Sequence, residues 1–403
     1  MKILVIDHMI WIRLCCHSWS VAGADVVPWI LPTITLAHQP PLRLAAAAGF
    51  LNAVRQQQPG VIVDVDAAGI LPLDDRYQQW TADLVDVPWV VWWWDDPYTV
   101  ARKLARDRRY LEAWTRAIRA PRVVHAAWDE TLAREYTRLF QRPVHWLPTG
   151  VHTGLFHPDA AQAAGRRFAA TDISFLGGYY ADRPLPDSPE LSAIIAERLA
   201  HPDGSYPDIV ARLGASVPTF GELLKAAVQG TRSPFDDTLL SWKEQVEIGV
   251  GRERRNRPLD ALADRFASRF FVGDGWPDRF HVTLKHIAQP EDLTACYRST
   301  LLNLALGSAR TFTGSAMRCY EIMAAGAALA IQGRPDFDPA GQQPGQAYVS
   351  FDTVDELADH ARRLKADAAA RRALGEAARE YAVAHHSWNH RLIRLLAIAG
   401  GQI

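Results

Sequence analysis

The chain has 403 residues, enough to bury a sizeable core and long for one domain, so two domains of about 150 to 200 residues are expected. Its 44 Lys and Arg against 45 Asp and Glu leave a formal charge of −1, which lacks the one-sided basic balance of a dedicated nucleic-acid binder. Cys15, Cys16, Cys296 and Cys319 show no C-x-x-C spacing, so neither a zinc knuckle nor a disulfide framework is indicated and a cytoplasmic setting is expected. The opening MKILVID is too brief for a secretory apolar region, and no apolar run reaches the ~18 residues of a membrane span.

Residues 2–6 read as a buried first strand, 42–57 as a helix and 60–65 as the next strand, a βαβ rhythm that predicts a parallel sheet. Residues 87–94 continue as an apolar strand, with four of the chain's 14 Trp between Trp89 and Trp94. Residues 99–119 follow as a charged amphipathic helix, 122–127 as a strand, 129–140 as a helix and 143–147 as a strand. The turn-rich PTGVHTGLFHP, residues 148–158, is placed as the linker. A second α/β rhythm has strands expected at 172–175, 270–272, 281–286, 301–306, 327–331 and 348–351. Residues from about 189 to 266 read as a helical insertion, and 354–363, 368–383 and 387–398 as closing helices.

The most informative stretch is 310–332, RTFTGSAMRCYEIMAAGAALAIQ, which sets one Arg and one Glu on an otherwise apolar helix between two expected strands. At 3.6 residues per turn Arg318, Glu321 and Ala325 share a face. Gly314 and Ser315 open this helix with a flexible turn and a capping hydroxyl, turning backbone N–H groups toward an anion. Gly326 ends it as a C′ glycine. An anion cradle, a guanidinium for phosphate and a carboxylate that accepts from a diol are the groups that hold a nucleotide diphosphate. The plain alternative is an i,i+3 ion pair, worth ~0.2 to 0.5 kcal/mol on an exposed helix.

The run R-C-Y-E-I-M-A-A-G-A resembles the R-x-F/Y-E-x-x-A-x-G signature of CgeB-like glycosyltransferases, relatives of the group-1 enzymes. The resemblance implies an α/β GT-B fold: two Rossmann-like domains with parallel sheets facing a cleft, and a C-terminal helix crossing back to the N-terminal domain. It sets an acceptor domain at 1–158, a donor domain at 159–384 carrying the insertion of about 189–266, and the crossing helix at 385–403. It implies that Glu321 binds the ribose hydroxyls of a nucleotide-sugar donor, a UDP-sugar first among them. Thr313 stands where group-1 enzymes carry a further Glu, which puts the donor-sugar contacts in question. The element FLGGYYADR resembles the opening of the family's second domain, so Gly177 and Gly178 are expected to let backbone approach the diphosphate and Arg183 to neutralise it. Gly273 and Gly275 stand open as donor-domain turn or simple loop, and His286 as a residue near the nucleobase or a structural histidine.

The run W-W-D-D-P resembles the W-x-x-D-x-P element of the family's first half and falls at the carboxyl end of a strand, where open α/β sheets bind ligands. One of Asp95 and Asp96 is thereby a candidate for acceptor binding or base catalysis, the other reading being an N-cap before Pro97. An N-cap is the expectation for Asp129, a core or turn role for His8, and a solvated helix start for His385, His386 and His390. The linker resembles P-x-G-V-D-x-x-x-F-x-P, with His152 in place of Asp. The expected chemistry is sugar transfer to an acceptor hydroxyl with no metal and no cofactor beyond the donor, with Arg318 assisting catalysis and a retaining outcome by analogy. Two other readings stay open: a GT-B-like scaffold that binds nucleotide or glycan without transfer, and an enzyme acting on modified DNA. The basic run Arg252, Arg254, Arg255 and Arg257 motivates the second, against its reading as a solvated surface loop.

Overall fold

The computed structural model describes residues 1–31, 40–180, 184–282, 284–310, 312–333 and 345–401. The chain divides into two compact units, Met1–Pro148 with Gly204–Glu244 and Trp388–Ile403, and Thr149–Asp203 with Gln245–Ser387. The expected insertion is thus shared, its middle counted with the first unit and its flanks with the second. Among the described residues no helix is long and apolar enough to cross a membrane.

The first unit is built on a six-stranded sheet ordered β2-β1-β3-β4-β5-β6. Its strands are β1 (Lys2–Asp7), β2 (Asp25–Ile30), β3 (Val61–Val65), β4 (Trp89–Trp93), β5 (Val123–Ala127) and β6 (Val144–Trp146). Every neighbouring pair is parallel, and β1, β3 and β4 are buried almost throughout because helices cover both faces of such a sheet. The tryptophans of β4 fill this core and still satisfy their indole N–H groups. Trp89 donates to Asp64 at 3.2 Å, Trp92 to the Leu147 carbonyl at 2.8 Å and Trp93 to His125 at 3.1 Å. The closing helix Trp388–Ala399 packs on this unit, its Trp388 carbonyl accepting from Trp19 at 2.8 Å and its ring stacked on Trp94.

Sequence and structure part at three places in this unit. The single helix expected at 99–119 is two, Pro97–Leu104 and Arg108–Ala117, because Asp107 takes an extended conformation and caps the second by accepting from the Tyr110 N–H at 3.0 Å. Helix Ile10–Val21 and edge strand β2 were not expected; β2 alternates irregularly and holds Pro28, which an edge strand tolerates. The helices of 204–244 are tied down by a fully buried ion pair, Lys243 Nζ to Glu135 Oε1 at 2.7 Å, with the Tyr206 N–H on Glu135 Oε2 at 3.0 Å.

The second unit carries a five-stranded parallel sheet ordered β11-β10-β9-β7-β8. Its strands are β7 (Thr171–Leu176), β8 (Arg269–Val272), β9 (Thr300–Ala305), β10 (Leu329–Gln332) and β11 (Val349–Phe351). Ile173, Phe175, Leu302, Leu304 and Ala330 form its core against helices that include Leu259, Leu357 and Leu364. Of the strand expected at 281–286, the described residues, all but 283, are irregular chain, joined to the turn after β8 by the Gly273 N–H on the Leu284 carbonyl at 3.2 Å. The helix expected to open at Gly314 begins later, at Met317, and runs to Ala324. Gly326 follows with φ +66°, and a glycine is required again at Gly375, where a Cβ would lie 2.4 Å from the Gly326 carbonyl oxygen.

In the first unit, Asp64 is fully buried and accepts from the Gly69 N–H and from Trp89, yet burial pushes it up to about 8 from the usual 3.8. With the folded value raised, the folded chain keeps a proton that the unfolded chain has released, so stability falls as pH rises through that window. Asp64→Asn escapes this loss and is expected to gain on the wild type by up to about 1.4 kcal/mol per pH unit between about 4 and 8. The difference in urea unfolding free energies measured across that range checks it, and a flat difference refutes it.

Candidate functional site

In the second unit the groups of interest gather at the carboxyl ends of β7, β8 and β9 and at the start of helix Met317–Ala324. Glu321 is 1% exposed, and an isolated carboxylate so buried would be costly. Two side chains compensate. Tyr297, from helix Pro290–Ser299, donates its hydroxyl proton to Glu321 Oε2 at 2.9 Å and accepts from Arg318 Nη1 at 3.0 Å, while Arg318 Nη1 stands 4.0 Å from that same Oε2. Burial raises the Glu321 pKa, opposed by the Arg318 charge and the Tyr297 hydrogen bond. For Arg318 burial works against the charge, but Tyr297 and Glu321 outweigh it and the pKa rises. Burial raises Tyr297 well above its ordinary value, so its phenol stays protonated. Glu321 Oε1 has no hydrogen-bond partner among the described residues, and it is the oxygen left to accept from a ligand hydroxyl.

The start of this helix differs in detail from the sequence expectation. Its N-cap is Ala316 in an extended conformation, so no side chain caps it. Ser315 is 7% exposed and its Oγ, expected as the cap, is buried without a hydrogen-bond partner among the described residues. Gly314, Ser315 and Ala316 line a narrow crevice with Gly307 and Ser308, about 20 Å³ in volume. Thr313, one residue before this stretch, is 1% exposed.

Gly177 and Gly178 follow β7, and their backbone is already engaged. The Gly177 N–H donates to the Val272 carbonyl at 2.8 Å, Trp276 Nε1 donates to the Gly177 carbonyl at 3.1 Å, and Arg255 Nη1 to the Gly178 carbonyl at 3.1 Å. Gly273, at φ +144°, comes so close that a Cβ there would lie 2.2 Å from the Gly177 oxygen. This glycine turn is therefore first a junction between the loops after β7 and β8. The Gly178 N–H donates to no described residue and is what the turn can offer a ligand. Arg183 lies outside the described residues. His286 is exposed in the irregular chain after β8.

Arg255 and Arg310 escaped the sequence reading as site residues. The run expected as a surface loop, Arg252–Asn256, is a π-helical turn within a long helix, a deviation often found at functional positions. It turns Arg255 inward over the Phe175 and Tyr180 rings, at 5.4 and 5.2 Å, while Arg257 stays outside in a pair with Glu253. Burial and the nearby Arg310 lower the Arg255 pKa, against Tyr180 and Glu247. The Tyr180 hydroxyl joins Ser308 Oγ at 3.0 Å and receives the Ala309 N–H at 2.9 Å.

In the first unit the paired aspartates separate by role. Asp96 is 3% exposed; it caps helix Pro97–Leu104 by accepting from the Tyr98 N–H at 3.0 Å, and it accepts from the Tyr136 hydroxyl at 2.5 Å. That capped, covered position argues against the catalytic role expected for it. Asp95 is half-buried at the carboxyl end of β4 beside Asp66, which the sequence reading passed over. Asp66 Oδ1 accepts from the Trp94 and Asp95 N–H groups at 2.8 and 3.0 Å. Burial, then the Asp95 charge, push Asp66 up to about 7. It and Ala67 both hold φ at +57°, strained backbone of a kind found at functional sites. Asp129 caps helix Glu130–Phe140 through the Leu132 N–H at 2.9 Å. Among the described residues no group of three or more His, Cys, Asp or Glu is placed to hold a metal ion.

Two α/β units, each built on a parallel sheet, are the architecture of the GT-B glycosyltransferase fold. Residues 253–397 match a family model described as glycosyl transferase-like, so the chain carries a glycosyltransferase-like domain. Among solved structures, sucrose-phosphate synthase from Thermosynechococcus elongatus is similar with a TM-score of 0.52 at 15% identity, covering 100% of this chain and 98% of that one. HepE from Anabaena, in complex with UDP and glucose, gives 0.49 at 12% identity over 98% of each chain. The UDP-forming α,α-trehalose-phosphate synthase from Burkholderia vietnamiensis gives 0.48 at 13% identity over 100% of both. A comparison with curated protein sequences finds no match.

Tyr297→Phe removes the donor to Glu321 Oε2 while keeping the ring. It is expected to cost about 1 to 3 kcal/mol, the penalty of leaving a buried acceptor unsatisfied, in the free energy of urea unfolding at pH 7. A loss below a few tenths would mean that the hydroxyl contributes nothing to holding Glu321.

Proposed function

We propose that the chain is a CgeB-like glycosyltransferase that moves a hexose from a nucleotide diphosphate sugar, a UDP-sugar first among candidates, to an acceptor hydroxyl. The observation that carries this reading is Glu321: a buried carboxylate with one oxygen held by Tyr297 and the other unpartnered, beside a guanidinium and a helix start with an orphaned Ser315 hydroxyl. In the proposed complex Glu321 Oε1 accepts from the ribose. The departing diphosphate is neutralised by Arg318, Arg255 and backbone N–H groups at Gly314 to Ala316, fixed charges that serve where other transferases use a metal. Thr313, small and buried, leaves the sugar end without the group-1 carboxylate. On the first unit, Asp95 beside Asp66 is the pair we assign to acceptor hydroxyls, Asp96 being engaged as a cap. The sequence match over 253–397 supports the transferase class.

Glu321→Ala is expected to lose about 1.5 to 3 kcal/mol of UDP affinity for each charge-assisted hydrogen bond removed, roughly tenfold to a hundredfold in Kd by isothermal titration calorimetry. Unchanged affinity would remove Glu321 from the donor site. Transfer is expected to persist in excess chelator and to retain anomeric configuration; an NMR time course whose first-formed product is inverted rejects the second expectation.

A further inference from the structure

The same unit holds an ion pair that the donor-site reading leaves unexplained. Arg310 Nε donates to Glu247 Oε1 at 2.6 Å, and Glu247 is only 6% exposed. Arg255 stands within electrostatic reach of both, its own Nε buried without a hydrogen-bond partner among the described residues. Both guanidiniums thus lie within reach of the Glu247 charge. This cluster is continuous with the crevice. The Arg310 N–H donates to Ser308 Oγ at 3.2 Å, Tyr180 bridges Ser308 to the ring face under Arg255, and Ser308 lines the crevice with Ser315.

The chain itself joins the two places: Ser308 lines the crevice, and Arg310, two residues on, is paired with Glu247. We propose that Glu247 is an internal surrogate for the ligand's diphosphate: it holds Arg310 beside the crevice, and an entering diphosphate takes Arg310 over and displaces the carboxylate. This rests on the donor-site reading, and it adds that the chain competes with its own ligand. The carboxylate's attraction must be broken before Arg310 can serve, which lowers apparent affinity as any minority binding-competent state does.

The test is calorimetry on the full chain with two probes, inorganic pyrophosphate and UDP. Wild type is expected to bind pyrophosphate, Glu247→Gln to bind it about five- to tenfold more tightly through loss of the competing charge, and Arg255→Gln and Arg310→Gln to weaken it at least tenfold. Glu247→Asp, whose shorter side chain no longer reaches Arg310, is expected to shift affinity in the same direction as Glu247→Gln, and it supplies the answer if Glu247→Gln fails to fold. Equal or weaker pyrophosphate binding by the folded Glu247 variants overturns the surrogate role, as does pyrophosphate binding that is indifferent to Arg255 and Arg310. If pyrophosphate behaves as expected while UDP fails to bind any form, the surrogate stands and the nucleotide-donor reading falls.

Discussion

Burying Glu321 in an apolar helix is the constraint on which the second unit's site depends. Taking one carboxylate out of water costs several kcal/mol unless its lone pairs are met. Tyr297 meets one oxygen by a hydrogen bond, and the Arg318 charge stands 4.0 Å from that same oxygen. The phenol is the pivot, since it donates to the carboxylate and accepts from the guanidinium in one short chain. Such a chain rigidifies what it joins, so Glu321 is held in a fixed orientation. Helices Pro290–Ser299 and Met317–Ala324 must then keep their relative pose.

That much was partly legible in the sequence. Arg318 and Glu321 stand three apart in an apolar run, so helical periodicity alone puts them on one face. Tyr297 lies on another helix, and nothing local marks it as their bridge. The glycines show the same division. Gly177 and Gly178 were visible as a flexible turn after a strand, but the backbone that crowds them belongs to Gly273, brought alongside only by the pairing of β7 with β8. Arg255 was hidden differently: a basic run reads as solvated surface, whereas in the π-helical turn Arg255 lies over the Phe175 and Tyr180 rings.

The parallel strands themselves were easier, because burial on both faces writes a continuous apolar run. Boundaries failed where a single polar side chain overrode the pattern, as Asp107 did by ending one helix and starting the next. The two aspartates after β4 illustrate the limit of a motif. Asp95 and Asp96 are chemically alike and adjacent, and extended geometry sends them apart. Asp96 is the one taken by the cap because it directly precedes the helix that starts at Pro97, and Tyr136, forty positions away, donates to it as well.

The first unit is assembled from three separated pieces, the last beginning at Trp388. That tryptophan gives Trp19 its hydrogen-bond acceptor and Trp94 its stacking partner. A ribosome therefore finishes the whole second unit before it delivers the last piece of the first. During synthesis the six-stranded sheet has all its strands by Trp146 but waits with its tryptophan cluster incomplete, while the later-encoded unit is already finished. Domains usually fold in the order in which they emerge, and contacts this distant in sequence form slowly. Here the order of completion runs backwards: the unit begun first is the one finished last.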